Sequence, residues 1–92
     1  NKNNIREALL GGFANSKILE IHGKRMLENK YAPGFKTKLH AKDMRIVKNI
    51  SKKKKLNLSG VNIVHKIMNL ANKSGHSEKD SSAYYLTLKN KK

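Results

Sequence analysis

Lysine and arginine side chains are the residues of this sequence best suited to chemistry, and their chemistry is the binding of anions. They concentrate between Leu39 and Met68, where Asp43 is the one acidic residue, and no acid occurs between Met44 and Ser77. With 21 Lys and Arg against 6 Asp and Glu, the 92 residues carry a formal net charge of +15. Duplex nucleic acid presents a phosphate charge every ~1.7 Å of its axis, so such a surface suits it. A solvated basic surface produced by AT-biased coding is the competing interpretation.

The basic residues form groups that would contact separate stretches of phosphate backbone. The predicted DNA contacts are Lys17, His22, Lys24, Arg25, Lys30, Lys36, Lys38, Lys52, Lys53, Lys54 and Lys55. Among them, Lys24 and Arg25 are the candidates for reading base edges, because the first residues of a recognition helix enter the major groove. A phosphate contact for Arg25 is an equal alternative.

Catalytic and metal-binding chemistry has little support in the sequence. There is no paired-carboxylate spacing, no nucleophile with an accompanying base and no GxxxxGK phosphate loop. The chain has no cysteine, and His22, His40, His65 and His76 are not spaced as metal ligands. The sequence therefore predicts a protein that is not an enzyme and that uses neither a cofactor nor a metal.

Apolar periodicity predicts a mainly helical chain that positions the basic residues. Helices are expected over 5–10, 13–19, 23–31, 41–53 and 60–70. Gly11-Gly12 ends the first of them, and Glu20–Gly23 is predicted to connect the second to the third. Pro33-Gly34 is a strong turn signal, and the alternation in Phe35–Leu39 predicts a short extended segment.

The end of the chain changes in character after Asn72. The polar stretch NKSGHSEKDSS reads as a flexible linker. Beyond it, an alternating segment is predicted to dock on another protein through Tyr84, Tyr85, Leu86 and Leu88. Packing of this segment on its own domain is the alternative.

Three stretches carry a resemblance to a known family. Ser16–His22 looks like the first helix and turn of the DNA-binding domain of MerR-type transcription regulators, especially HspR-like members. Leu39–Asp43 resembles the element that opens the third helix of that domain, and Leu56–Val61 resembles its turn into the fourth. The resemblance implies a mainly α fold, a winged helix-turn-helix of four to five helices with a short β wing and a flexible C-terminal tail. Residues 1–12 would be an N-terminal extension, 13–72 the DNA-binding domain and 73–92 the linker and partner-docking tail.

The function implied by this resemblance is sequence-specific regulation of transcription, with activation at a promoter and a role in virulence. The expected partners are double-stranded DNA and, through the tail, RNA polymerase or an associated regulatory protein. No small-molecule ligand and no membrane are expected, and the expected location is the bacterial cytoplasm, at the nucleoid. Two alternatives remain: an adaptor whose basic face meets acidic protein, and the DNA-binding portion of a Tc/mariner-like transposase, whose second helix-turn-helix residues 38–60 resemble.

Overall fold

A computed structural model describes residues 1–89 of the chain, and these residues are mainly helical, as predicted. The helices are α1 (Lys2–Leu10), α2 (Lys17–Glu28), α3 (Thr37–Lys53), α4 (Ser59–Ala71) and α5 (Tyr84–Lys89). A π-helical turn, Asn72–His76, follows α4, and a 3₁₀ turn, Ser81–Ala83, precedes α5. The chain forms two compact units, Asn1–Tyr31 and the part from Ala32 onward. The predicted domain boundaries after residues 12 and 72 stay predictions.

The first unit consists of α1 packed against α2. The Ser16 side chain caps α2 by accepting a 2.9 Å hydrogen bond from the Leu19 N–H. The predicted break at Glu20–Gly23 is wrong, because α2 runs through it. Gly23 lies instead where α1 approaches: a Cβ there would be 3.3 Å from the Arg6 side chain, which also donates to the Glu20 carbonyl at 2.8 Å. The glycine provides room for packing and not a turn.

Helices α3 and α4 form the centre of the second unit, and a tight turn joins them. Lys55 adopts a left-handed conformation with φ of 56°. The Leu56 N–H donates to the Ser51 carbonyl at 2.8 Å, and the Lys55 N–H donates to the Lys52 carbonyl at 3.1 Å. These two bonds make a Schellman ending, which satisfies the last carbonyls of α3 and turns the chain back toward α4.

The predicted β wing at Phe35–Leu39 is wrong. Helix α3 already begins at Thr37, and within residues 1–89 the only extended pairing near it is an isolated bridge between Lys36 and Asp80. The Thr37 N–H donates to the Lys79 carbonyl at 2.9 Å, and the Lys38 N–H donates to the Ser77 carbonyl at 3.1 Å. Because carbonyls from a distant segment cap the first turn, a stretch that alternates in sequence folds as a helix.

The predicted flexible tail is also wrong for the residues that the structure describes. Asp80 accepts a 3.0 Å hydrogen bond from the Ser82 N–H and starts the 3₁₀ turn that leads into α5. Helix α5 packs on α4, and the buried Ala83 and Thr87 lie toward the core. The last three residues of the predicted tail lie outside the described residues. Partner docking by this segment is a separate matter and stays a prediction.

The core of the second unit is small. Its buried apolar side chains are Ala41, Met68, Ala71 and Ala83. On α4, Met68 is buried, whereas Ile63, Val64 and Leu70 are exposed. The unit therefore presents considerable apolar surface on its helices.

Candidate functional site

A buried carboxylate organises one end of the second unit. Asp80 is 1% exposed, and its Oδ1 accepts the backbone N–H groups of Gly34 at 2.9 Å and Phe35 at 3.2 Å. Its Oδ2 accepts the Ser82 hydroxyl at 2.6 Å and the Ser82 N–H at 3.0 Å. The Ser81 N–H donates to the Phe35 carbonyl at 2.9 Å, so two loops are tied together on both sides of this carboxylate. We call this place, with the adjoining Lys36, Thr37, Lys38 and Glu78, the Asp80 corner.

The charge of Asp80 is maintained by these hydrogen bonds. Burial alone would raise the pKa of this carboxyl, but the bonds from Ser82, Phe35 and Gly34 outweigh burial and hold the pKa well below its usual range. The neighbouring Tyr84 responds in the opposite direction, because burial and the charge of Asp80 raise its pKa to about 12. The tyrosine therefore stays protonated, and among the described residues its buried hydroxyl has no hydrogen-bond partner.

The lysines of the Asp80 corner are neutralised by one exposed acid. Glu78 Oε2 lies 2.7 Å from Lys36 Nζ, and Glu78 Oε1 accepts a hydrogen bond from Lys38. These hydrogen bonds lower the pKa of Glu78 to about 2. Beside them, the Phe35 ring is 42% exposed on a backbone that Asp80 fixes, with its centroid 5.6 Å from that of His40. The corner thus presents an anchored aromatic ring next to two paired ammonium groups.

A second surface of the same unit has unpaired cations. A groove of about 640 Å³ runs along α4 and faces α3. We call it the basic groove; its lining residues are Lys48, Asn62, Ile63, His65, Lys66, Ile67, Asn69, Leu70 and Lys73. None of its three lysines forms an ion pair within residues 1–89, and the lining contains no acid.

His65 is the buried polar group of the basic groove. It is 9% exposed, and its Nε2 lies 3.4 Å from Asn69 Nδ2. Burial lowers its pKa, and the charges of Lys48 and Arg45 lower it further. This imidazole therefore lies in a positive potential, and no carboxylate of the described residues is among the causes of its pKa shift.

The residues predicted to contact DNA in the first unit lie in ordinary surface pairs along α2. Lys17 pairs with Glu20 at 3.2 Å, and Glu28 lies 3.9 Å from Lys24 and 3.6 Å from Lys30. The other two predicted contacts, His22 and Arg25, are half-buried on the same helix. Lys24 and Arg25 lie in the second half of α2 and not at a helix start, so the position expected for base-reading residues is wrong.

The remaining predicted contacts and the predicted docking residues lie on the second unit. Four exposed lysines lie at the C-terminal end of α3: Lys52, Lys53, Lys54 and Lys55. Positive charges at this end of a helix interact favourably with the helix dipole. Tyr84, Tyr85 and Leu86 are half-buried and Leu88 is exposed on α5. The structure brings Lys36 and Lys38 together, because both side chains form ion pairs with Glu78.

Several residues of these sites were absent from the predictions. Asp80 has a sequence signal, since an Asp two residues before Ser82 is typical of a capping turn. The groove residues Lys48, Lys66 and Lys73 had a weaker one in the acid-free stretch from Met44 to Ser77. Their meeting across two helices depends on the packing of α3 on α4.

Comparison with known proteins defines the class to which this fold belongs. Residues 1–88 match the family model described as NAD-binding of NADP-dependent 3-hydroxyisobutyrate dehydrogenase. Because the match covers nearly the entire chain, the chain belongs to this family. A 2-hydroxy-3-oxopropionate reductase of Escherichia coli (strain K12) is 40% identical over 84 residues, which are 91% of this chain and 29% of the reductase. The chain thus spans less than a third of the length of that relative.

These findings overturn the regulatory interpretation. The resemblance to MerR-type regulators is wrong, and so is the transcription-regulator function that it implied. The adaptor and transposase alternatives are wrong as well. The predicted partners, duplex DNA and RNA polymerase, are therefore also wrong. The expected association with the nucleoid has no support. The predictions of no enzyme and no small-molecule ligand are also wrong, because both comparisons lead to proteins named for redox chemistry and one family description names NAD.

The roles of the individual residues predicted to bind DNA or a partner are not tested by these comparisons. Across residues 1–89, no helix is long and apolar enough to cross a membrane.

Proposed function

We propose that this chain is the helical part of an NAD(P)-dependent oxidoreductase that interconverts small hydroxy acids and their oxo forms. The observation that carries the proposal is the family match over residues 1–88, supported by the 40% identity to a 2-hydroxy-3-oxopropionate reductase. When bound, the nicotinamide cofactor supplies or accepts the hydride. The protein's contribution is to bind, orient and enclose the reactants.

The Asp80 corner fits such a role. A dinucleotide offers flat rings and phosphates, and its substrate here offers a carboxylate. Phe35 presents a partly exposed ring on a backbone held by the buried Asp80, and Lys36 and Lys38 supply ammonium groups beside it. Aromatic faces suit flat rings, and ammonium groups suit phosphate and carboxylate oxygens. We propose that Phe35 contacts the cofactor or substrate and that the anionic group of this ligand competes with Glu78 for Lys36 and Lys38.

The apolar faces of α3 and α4 fit the same proposal. Ile46, Val47 and Ile50 are exposed on α3, and Val64 is exposed on α4. Exposed apolar side chains in such number are costly in water. We propose that these faces contact other parts of the enzyme, where burial would help to close the reaction site against water.

The test is a steady-state assay of the full-length protein with 2-hydroxy-3-oxopropionate and NADPH or NADH, followed by the loss of reduced-nicotinamide absorbance. Oxidation of 3-hydroxyisobutyrate with NADP⁺ or NAD⁺ tests the second substrate. Phe35→Ala is expected to lower kcat/KM by about tenfold or more, the effect of losing ~1.4 kcal/mol of contact in the transition state.

The matched control is Phe13→Ala, which removes the same side chain from a fully exposed position. It is expected to leave kcat/KM unchanged. Absence of turnover with either substrate and either cofactor contradicts the proposed function. Turnover that Phe35→Ala and Phe13→Ala affect equally contradicts the role of the Asp80 corner alone.

A further inference from the structure

The basic groove is positively charged because the segments that form it contain no acidic residue. Between Met44 and Ser77 there is no acidic residue, so neither the second half of α3 nor any part of α4 can supply a counter-charge. The nearest acids beyond this stretch are already engaged: Glu78 with Lys36 and Lys38, and Asp43 with Lys42 at 3.4 Å. The ammonium groups of the groove therefore lack a partner among the described residues.

The polar groups of the basic groove suit a phosphate more than a carboxylate. The cations that line it are lysines, which bind phosphate as point charges, and the lining contains no arginine fork of the kind that pairs with a planar carboxylate. The amides of Asn62 and Asn69 add neutral donors on the same wall. A tetrahedral phosphate can accept from several directions at once, as this arrangement of separate donors requires.

The remaining surface of the groove indicates an organic ligand and not an inorganic ion. Ile63, Ile67 and Leu70 contribute apolar contacts beside the charged groups. The volume of about 640 Å³ lies within the range typical of small-molecule sites, about 300–1,000 Å³. An ordinary solvated lysine surface does not include a buried histidine, yet His65 lies on this wall at 9% exposure.

We propose that the basic groove binds the phosphate group of a small organic molecule, with Lys48, Lys66 and Lys73 as the charged contacts and Asn62 and Asn69 as neutral donors. The site is distinct from the Asp80 corner, and the proposal does not rest on the redox function. The lowered pKa of His65 supports it, because after burial its causes are the charges of Lys48, which lines the groove, and of Arg45, one turn away on α3.

Calorimetric titration of the full chain with inorganic pyrophosphate tests this proposal. At constant ionic strength we expect saturable binding, which Lys48→Gln together with Lys66→Gln weakens by about a hundredfold, or about tenfold for each charged contact. The matched control is Lys52→Gln with Lys53→Gln, which removes the same charge from an exposed part of α3. The control is expected to change the dissociation constant less than threefold, roughly the contribution of screened long-range charge.

A second readout separates a specific site from general attraction by net charge. Bound pyrophosphate is expected to raise the pKa of His65, measured by NMR of its ring proton, while the pKa of His76 stays unchanged. The proposal is overturned if binding does not saturate, if both lysine pairs weaken it equally, or if the pKa of His65 does not rise. Circular dichroism of each variant excludes misfolding as the cause of a loss.

The phosphate can belong to a free phosphorylated metabolite or to a dinucleotide, and competition distinguishes them. If NADPH displaces pyrophosphate and shows the same dependence on Lys48 and Lys66, the cofactor is the source. If NADPH leaves pyrophosphate in place, the groove serves a separate phosphorylated compound. Both outcomes support a phosphate site, and neither depends on the redox assay.

Discussion

The second unit has two lysine-rich surfaces that differ in how their charge is treated. At the Asp80 corner, Lys36 and Lys38 share Glu78, and the buried Asp80 accepts hydrogen bonds from Gly34, Phe35 and Ser82. In the basic groove, Lys48, Lys66 and Lys73 have no acid beside them in the described part of the chain. At the corner, a carboxylate of the protein neutralises the lysines. In the groove, an external anion would have to do so.

This contrast shows that a high net charge alone does not identify a partner. The formal charge of +15 suggested a polyanion, yet the chain belongs to an NAD-binding dehydrogenase family. The lysines of the two surfaces differ in whether a carboxylate lies beside them. That property depends on the fold and can be tested at each surface.

The largest effect is expected at the Asp80 corner. Asp80→Ala removes the acceptor for the N–H groups of Gly34, Phe35 and Ser82, and each buried donor without a partner costs ~1–3 kcal/mol. We expect the free energy of unfolding to fall by about 3 kcal/mol, measured by urea denaturation. Glu78→Gln, a change at an exposed carboxylate nearby, is the control and should be far milder. Equal effects would contradict the structural role of Asp80.

Acid should weaken the corner and leave the groove lysines unaffected. Asp80 and Glu78 both have folded pKa values below those of the unfolded chain, so their stabilisation is fully present above pH ~4.5. It is lost as the pH falls, for Glu78 through about 2. Thermal melts from pH 7 to 2 should therefore show a loss of stability that begins near pH ~4.5 and is smaller in Asp80→Asn. A loss of the same size in this variant would contradict the assignment to Asp80.

In the groove, removal of one cation should be visible in the titration of His65. Lys48→Gln is expected to raise the pKa of His65, since the charge of Lys48 is one cause of its lowering. Because burial is the larger cause, the pKa should remain below its usual value. NMR titration measures this, with Lys79→Gln as the counterpart that should raise the pKa of His76 instead. If Lys48→Gln shifts both histidines alike, the groove has no local potential of its own.

The smallest effect concerns the end of the groove helix. Gly75 has φ of 89° with open space around it, so Gly75→Ala should destabilise by about 1 kcal/mol through backbone strain alone. Gly60→Ala is the matched control, since Gly60 lies in α4 with nothing near its position for a Cβ. It should stabilise by ~0.5–1 kcal/mol. Changes of the same sign in thermal melts would contradict the conformations assigned to these two glycines.

Local sequence signals predicted much of the helical content and missed the contacts between distant segments. The apolar spacing located α1, α3 and α4, because amphipathic periodicity is a local property. It failed at Thr37, because the start of this helix depends on the carbonyls of Ser77 and Lys79, which lie far along the sequence. The polar composition of residues 73–82 resembled a linker because the hydrogen bonds that fix it come from Asp80 reaching back to Gly34 and Phe35.

The candidate sites were predictable to a smaller extent than the fold. The sequence indicated that Lys36 and Lys38 were charged and exposed, but their pairing with Glu78 required the packing of two separate segments. The absence of acids between Met44 and Ser77 was visible, and it is the feature that keeps the groove positive. The family could not be derived from these residues, because a helical domain with lysine-rich surfaces is compatible with many functions.

The most direct test of the contrast between the two surfaces is a pyrophosphate titration of the ¹⁵N-labelled chain, followed amide by amide. We predict that the amide chemical shifts of Asn62, Lys66 and Asn69 along the basic groove change and saturate. The amide shifts of Gly34, Phe35 and Lys38 at the Asp80 corner should change no more than they do when chloride is added to the same ionic strength. Shifts of equal size at both surfaces, or shifts at the corner alone, would contradict the account.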